Sequence, residues 1–190
     1  MDIIPTNCIL LRHASCQVPT GYCLGQWDVA LDTRGEQAAR ELGQRWHGSL
    51  PGKIFCSDLR RAQQSAKLLI GSQRISLHCD SRLREISLGD WEGNSWNSLY
   101  RNQNETLQHW GQYWLQVAPP GGESALELYH RVGHWLKDNR SALNEDSLVI
   151  AHAGSLQALI CHLGKLQPQA MPGFHLAHCA PFQLTRSIDK

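Results

Sequence analysis

Residues 8–14 of the chain read Cys8-Ile9-Leu10-Leu11-Arg12-His13-Ala14, a short apolar run that stops at an arginine and a histidine. Apolar runs of this length are typical of buried strands. In α/β sheets, ligands bind beside the carboxyl ends of the strands. The stretch therefore predicts a strand that brings a fixed positive charge and a titratable nitrogen to one edge of a sheet. An isolated Arg-His pair is more simply explained as two exposed polar residues after a strand, so the rest of the chain decides.

Strand patterns recur along the chain and are separated by helix patterns. Further strands are predicted at Lys53-Ile54-Phe55-Cys56, over residues 75–79 and at Leu148-Val149-Ile150-Ala151, and residues 174–185 predict one or two short strands at a sheet edge. A β-α-β-α-β order is typical of a parallel sheet with helices on both faces. The predicted fold class is therefore α/β, a three-layer αβα sandwich around a mostly parallel central sheet.

Helix starts are predicted from capping signals. Thr33 to Glu36 and Ser124 to Glu127 have the spacing of a capping box, and Ser57-Asp58 suits a third helix start. Residues 86–118 interrupt the alternation, because they are rich in Trp, Asn and Gln. A chain of 190 residues can form one domain with a sizeable core. We expect a single domain over residues 1–190 with an inserted, substrate-side subregion at about 86–122.

The composition is that of an ordinary soluble globular protein, with 42% hydrophobic and 18% charged residues. A formal net charge of +1 and the lack of a basic stripe with interleaved aromatics argue against nucleic acid as a partner. No apolar stretch approaches the roughly 18 residues that a membrane span needs, and the N-terminus shows no signal-peptide pattern. We expect a cytoplasmic protein that does not bind membranes, and a homodimer remains open.

The seven cysteines are scattered, odd in number and without a CxxC pair. This usage argues against a disulfide framework or a zinc site and for a reducing compartment. The segment His175-x-x-His178-Cys179 comes nearest to a metal motif, but a spacing of three places the two histidines on opposite faces of a strand. We expect no metal and no cofactor.

Charged side chains follow each predicted parallel strand. Arg12 and His13 follow the first strand, Arg60-Arg61 the second, Arg84-Glu85 the third and His152 the last. Arginine and helix N-termini bind phosphate, and histidine serves as a nucleophile or as a general acid or base. If the strands are parallel, these side chains converge on one pocket. The residues alone therefore predict a phosphate-handling site.

Four motifs resemble, in the right order, those of the histidine phosphatase superfamily, which includes the phosphoglycerate mutases. Leu11 to Ala14 is similar to its Arg-His-Gly signature, and residues 57–66 are similar to its second-arginine motif. Residues 83–93 are similar to its acid motif, and Val149 to Gly154 to its second-histidine motif. The resemblance spans about residues 8–165. It implies a phosphoglycerate mutase-like fold and a hydrolase that acts on small phosphomonoesters through a phosphohistidine intermediate.

The resemblance also implies the roles of the site residues. His13 is the nucleophile, Glu85 the proton donor and His152 the second catalytic histidine, while Arg12, Arg61 and His152 bind the phosphoryl group. Neighbouring cations should keep His13 unprotonated, since like charges disfavour imidazolium. Four residues are candidates for substrate contacts: Ser15, Tyr22, Gln26 and Trp27.

A narrower resemblance points to the α-ribazole phosphatases of cobalamin synthesis, which remove the phosphate from α-ribazole 5′-phosphate. Cys23 to Leu31 and Pro120 to Ser124 carry it. Trp91 or Trp96 could stack on a flat base, although core packing is the simpler interpretation for each. A broad-specificity phosphatase and a phosphoglycerate mutase-like enzyme stay open, as does, more remotely, a non-catalytic module that binds a phosphorylated ligand.

The chain departs from the superfamily pattern beside its two histidines. Ala14 and Ala153 stand where glycine is usual, and Ser15 stands where many relatives carry glutamate. Glycine is preferred where φ is positive or where the backbone approaches a ligand closely. The two alanines therefore predict a tighter site or a slower reaction.

Overall fold

The computed structural model describes residues 8–46, 48–143 and 146–183. Its five strands form one sheet in the order β3-β2-β4-β1-β5. Their bounds are β1 Cys8–Arg12, β2 Lys53–Ser57, β3 Ser76–Asp80, β4 Ser147–Ala151 and β5 Pro181–Gln183. The first four strands are parallel, and β5 pairs antiparallel with β1 at the sheet edge. The predicted mostly parallel sheet is confirmed.

Helices cover both faces of the sheet. The α-helices are α1 Thr33–Arg45, α2 Arg60–Ile70, α3 Trp96–Asn102, α4 Asn104–Gln112, α5 Ala125–Leu143 and α6 Ala153–Gly164. Three 3₁₀ helices span Ser81–Leu83, Gly89–Trp91 and Pro168–Gly173. None of the helices in these described ranges is long and apolar enough to cross a membrane.

The two faces of the sheet bury separate cores, because successive strand residues point to opposite sides. Leu10 and Val149 pack with α5 and α6, whereas Leu11 and Ile150 pack with α2. All five residues of β4 are buried between β1 and β2. The three-layer αβα sandwich is confirmed, and its parallel strands end at a common edge.

A helix begins at Thr33 as predicted, but with a different cap; the start at Ser57-Asp58 is wrong, and the capping box at Ser124 is confirmed. Helix α1 is capped by Asp32, whose carboxylate accepts from the Gly35 N–H, so Thr33 is already inside the helix. Aspartate is among the best N-cap residues, which explains this preference. Helix α2 begins only at Arg60, because Ser57 still belongs to β2. Ser124 and Glu127 do form the predicted capping box.

Residues 86–122 carry α3, α4 and a cluster of tryptophans. Trp91 is fully buried, packs edge-on against Trp110 and donates its indole N–H to Gln103. Trp96 stacks on Trp110 with ring centroids 6.1 Å apart. Core packing is therefore the structural role of Trp91.

Candidate active site

His13 lies at the carboxyl edge of the sheet, directly after β1. Its backbone N–H donates to Ala151 of β4, and its side chain is only 2% exposed. The ring Nδ1 lies 2.7 Å from the carbonyl oxygen of Ala14. Because a carbonyl oxygen only accepts, Nδ1 carries the proton and Nε2 keeps its lone pair. The histidine thus presents the unprotonated nitrogen that a nucleophile needs.

Arg61 approaches that nitrogen from the first turn of α2. Its Nε donates to Nε2 of His13 at 3.3 Å, although the guanidinium is fully buried. Its two terminal nitrogens donate to the carbonyl oxygens of Gly25 and Trp27, at 2.7 and 2.8 Å. A planar guanidinium held at three points has little freedom to move. The loop before α1 therefore fixes a positive charge against Nε2 of His13.

His152 follows β4 and faces His13 with ring centroids 5.0 Å apart. Its Nε2 is 2.8 Å from the hydroxyl of Ser57, the last residue of β2. One buried nitrogen nearby, Arg12 Nε, has no hydrogen-bond partner among the described residues. Arg12 is anchored at its other end, where it donates to the Leu176 carbonyl. A buried donor without a partner is costly, so it indicates a place for a polar ligand.

Glu85 reaches the same edge from the segment after β3. Its carboxylate accepts from the N–H groups of Ile86 and Gly154, at 2.9 and 3.0 Å. A Cβ on Gly154 would collide with Oε1 of Glu85, so this close approach requires glycine. Gln26 donates to the Glu85 carbonyl oxygen at 3.0 Å. The Glu85 carboxylate is thus held by the first turn of α6, through Gly154, which directly follows Ala153.

Burial sets the protonation of the two central histidines. The pKa of His13 lies well below its usual 6.5, first because of burial and second because of the Arg61 charge. The pKa of His152 is lowered in the same way, by burial and then by His13. Both rings are therefore neutral at neutral pH, as a nucleophile and a hydrogen-bonding partner for phosphate require.

The four predicted substrate-contact residues are placed differently. The loop that carries Gln26 and Trp27 contacts both Arg61 and Glu85 through hydrogen bonds. The side chains of Trp27 and Tyr22 are exposed. The hydroxyl of Ser15 instead donates to Asp32, the cap of α1. The structure brings Gln26 and Trp27 to the site and turns Ser15 towards the helix cap.

His178 also faces the site, and its place there could not be read from the sequence. Its ring centroid is 5.2 Å from that of His13, and its backbone forms an isolated parallel β-bridge with Arg12. Burial first, and then Arg12, lowers the pKa of His178 to about 4. The sequence analysis considered His178 only as part of a metal-like motif. In the described part of the chain, no three His, Cys, Asp or Glu side chains are grouped to hold a metal ion.

The two alanines after the signature histidines are not strained. Among the described non-glycine residues, only Lys165 and Cys179 have a positive φ. Ala14 is fully buried and its N–H donates to the Ser65 hydroxyl of α2. No left-handed backbone therefore demands glycine at either position.

An apolar cavity of about 320 Å³ opens beside the acid. It is lined by Gly154 and by the largely apolar side chains of Ile86, Trp114 and Leu128. Gly154 and Ile86 are the two residues whose N–H groups hold Glu85. The cavity therefore borders the two residues that hold the carboxylate, and it can accept an apolar group near them.

Comparisons with known proteins match most of the chain. Residues 8–188 match the sequence profile of the histidine phosphatase superfamily (branch 1). The adenosylcobalamin/α-ribazole phosphatase of Escherichia coli K12 is 28% identical over 169 residues, 88% of this chain and 83% of that protein. The 2,3-bisphosphoglycerate-dependent phosphoglycerate mutase of Methylocella silvestris is 36% identical in a gapped alignment of 197 positions, which covers 95% of this chain and 92% of that protein. The crystal structure of the α-ribazole phosphatase from Shigella flexneri has a TM-score of 0.86 and 25% identity, and the match covers 92% of this chain and 87% of that chain.

Proposed function

Because the chain belongs to the histidine phosphatase superfamily and is a phosphatase, we propose that it hydrolyses small phosphomonoesters through a phosphohistidine on His13. The family resemblance seen in its motifs is confirmed by the profile match over residues 8–188. One observation carries the proposed mechanism: the unprotonated Nε2 of buried His13 lies 3.3 Å from the Arg61 guanidinium. A neutral nucleophile beside a fixed cation suits attack on an anionic phosphoryl group.

In the first step, Nε2 of His13 attacks phosphorus, so that a P–N bond forms while the ester P–O bond breaks. Glu85 gives its proton to the leaving alkoxide oxygen. In the second step, Glu85 takes a proton from water, the water oxygen attacks phosphorus and the P–N bond breaks. Inorganic phosphate then leaves and His13 is neutral again. One group can serve as acid and then as base because each step reverses its protonation.

The transferring oxygens need donors that stay in place through both steps. Arg61 is one, and its three hydrogen bonds hold it rigidly. The other candidates are Arg12, whose buried Nε has no partner within the described residues, and His152, whose ring faces that of His13. A phosphoryl oxygen in this position would satisfy Arg12 Nε. We therefore propose Arg12, Arg61 and His152 as the phosphate-binding set.

We propose α-ribazole 5′-phosphate as the substrate. The names of the relatives in Escherichia coli and Shigella flexneri support it. The apolar cavity beside Glu85 also supports it, since a flat base attached to the leaving group needs such a place. Ile86 and Trp114 line this cavity, which favours residues 86–122 as a substrate-side subregion of one domain. A broad phosphatase or mutase-like activity is the second candidate, favoured by the 36% identity to a phosphoglycerate mutase.

A kinetic comparison of phosphomonoesters tests the substrate. We expect kcat/KM for α-ribazole 5′-phosphate to exceed that for 3-phosphoglycerate and simple sugar phosphates by at least about 10²-fold. Similar kcat/KM values for all of these substrates would contradict α-ribazole 5′-phosphate as the substrate and would show a broad specificity. Phosphate returned to glycerate rather than to water would instead identify a mutase.

A leaving-group comparison tests Glu85. The Glu85→Gln variant should lose about 10²-fold or more in kcat on an alkyl phosphate, because an alkoxide needs a proton to leave. It should lose much less with p-nitrophenyl phosphate in the step that forms the phosphohistidine, since nitrophenolate leaves without a proton. Equal losses on both substrates in single-turnover experiments would exclude the acid role.

A further inference from the structure

Two thiols lie side by side on the edge strand β3 and on its neighbour β2, outside the proposed site. Cys56 of β2 and Cys79 of β3 are register partners in parallel pairing. Register partners on adjacent strands point to the same face of a sheet, and adjacent strands lie about 4.8 Å apart. Disulfides join cysteines whose Cα atoms are about 4.4 to 6.8 Å apart. The backbone therefore already holds these two cysteines at a bonding separation.

The two thiols differ in burial and in acidity. Cys79 is exposed on the edge strand, whereas Cys56 is fully buried. The neighbouring Cys56 thiol lowers the pKa of Cys79 to about 7, and Cys79 in turn raises the pKa of Cys56. Thiolates attack disulfides, and the optimum attacking thiol has a pKa near the ambient pH. Cys79 is thus the accessible attacking thiol and Cys56 the partner beside it.

We propose that Cys56 and Cys79 form a reversible disulfide by exchange with a small disulfide such as oxidised glutathione. The Cys79 thiolate attacks one sulfur of oxidised glutathione, which gives a mixed disulfide and releases one glutathione thiolate. Cys56 then loses its proton to solvent and attacks the Cys79 sulfur. A Cys56–Cys79 bond forms and a second glutathione thiolate leaves, so two thiols are oxidised and one disulfide is reduced. All seven cysteines of the chain are free in the structure, so Cys56 and Cys79 start in the thiol state.

The disulfide would act on the active site through Ser57. The Cys56 thiol donates to the Ser57 carbonyl at 3.1 Å, and the Ser57 hydroxyl contacts Nε2 of His152 at 2.8 Å. A disulfide has no S–H, so oxidation removes the first of these hydrogen bonds at the end of β2. We therefore expect the oxidised enzyme to be slower.

Mass spectrometry after incubation with oxidised glutathione tests the bond itself. A non-reducing digest should contain a peptide pair joined through Cys56 and Cys79, with two hydrogens lost and no glutathione retained. The variants Cys79→Ser and Cys56→Ala should lack this pair, whereas the matched control Cys161→Ala, a buried thiol on α6, should keep it. Glutathione that stays on Cys79 of the intact chain, or no reaction at all, would overturn the disulfide.

Turnover of p-nitrophenyl phosphate tests the consequence. We expect the oxidised enzyme to lose about fivefold in kcat, the size of effect that one hydrogen bond supplies, and to regain it with dithiothreitol. The Cys79→Ser variant should keep its activity in both conditions. Unchanged turnover in a fully cross-linked enzyme would overturn the link through Ser57. Neither result depends on the phosphohistidine, since any hydrolysis at this site reports the change.

Discussion

The inner part of the proposed site, formed by His13, Arg61 and His152, is almost completely out of solvent, with no residue more than 2% exposed. Its outer part, formed by Tyr22 and Trp27, is 39% and 40% exposed. Strand ends and buried hydrogen bonds hold the inner groups, whereas a loop carries the outer ones. Loops change more readily than strands under substitution. We therefore propose that the inner part supplies the chemistry and that the outer part selects the substrate.

The largest effect should come from removing the nucleophile of the inner part. We expect His13→Ala to lower kcat by more than about 10³-fold, because no other group can form the covalent intermediate. The matched control His109→Ala, an exposed histidine on α4, should keep full activity. Steady-state hydrolysis and circular dichroism of both variants check this. Turnover retained in the folded His13→Ala variant would remove His13 from the mechanism.

The next largest effect should come from Gly154→Ala at the start of α6. The added methyl group collides with the Glu85 carboxylate, so the acid must shift. We expect kcat on an alkyl phosphate to fall by about 10²-fold, the usual contribution of general acid catalysis. The neighbouring Ala153→Gly variant should change kcat little, since Ala153 does not have a positive φ. An unchanged kcat in Gly154→Ala would show that catalysis does not require the observed position of the Glu85 carboxylate.

A smaller effect should appear in the pH dependence of stability. His13 and His152 have folded-state pKa values below 6.5, so the unfolded chain binds their protons first as the pH falls. The free energy of unfolding should therefore decrease below pH 6.5, by up to about 1.4 kcal/mol per pH unit for each histidine, and be unaffected by them above it. Urea denaturation at about pH 7 and about pH 5.5 measures this change. If the free energy of unfolding depends on pH as steeply in His13→Asn as in the unmodified protein, His13 is not buried in its neutral form.

The smallest effect should come from the outer part. We expect Trp27→Ala to raise KM about fivefold while kcat stays within about twofold, because the side chain lies beside the reacting groups and not among them. The Trp27 carbonyl, which accepts from Arg61, is retained in this variant. Tyr100→Ala, a matched exposed aromatic on α3, should change neither constant. A large loss of kcat in Trp27→Ala would abolish the distinction between the two parts.

The sequence predicted the inner part better than the outer part for a physical reason. His13 and His152 directly follow apolar strands, and local patterning is enough to place strand ends at a common edge. His178 could not be placed in this way, because its contact with His13 depends on an edge segment from the far end of the chain. The direction of the Ser15 side chain likewise depends on Asp32, a tertiary contact.

Trapping the intermediate tests the central proposal most directly. Under rapid quench with alkali, which preserves a P–N bond, a peptide containing His13 should carry one phosphoryl group before phosphate is released. The phosphorylated fraction should rise and decay within one turnover, and it should be absent from His13→Ala. Phosphate release that proceeds at full rate with no phosphorylated His13, or with the phosphoryl group on another residue, would contradict the mechanism.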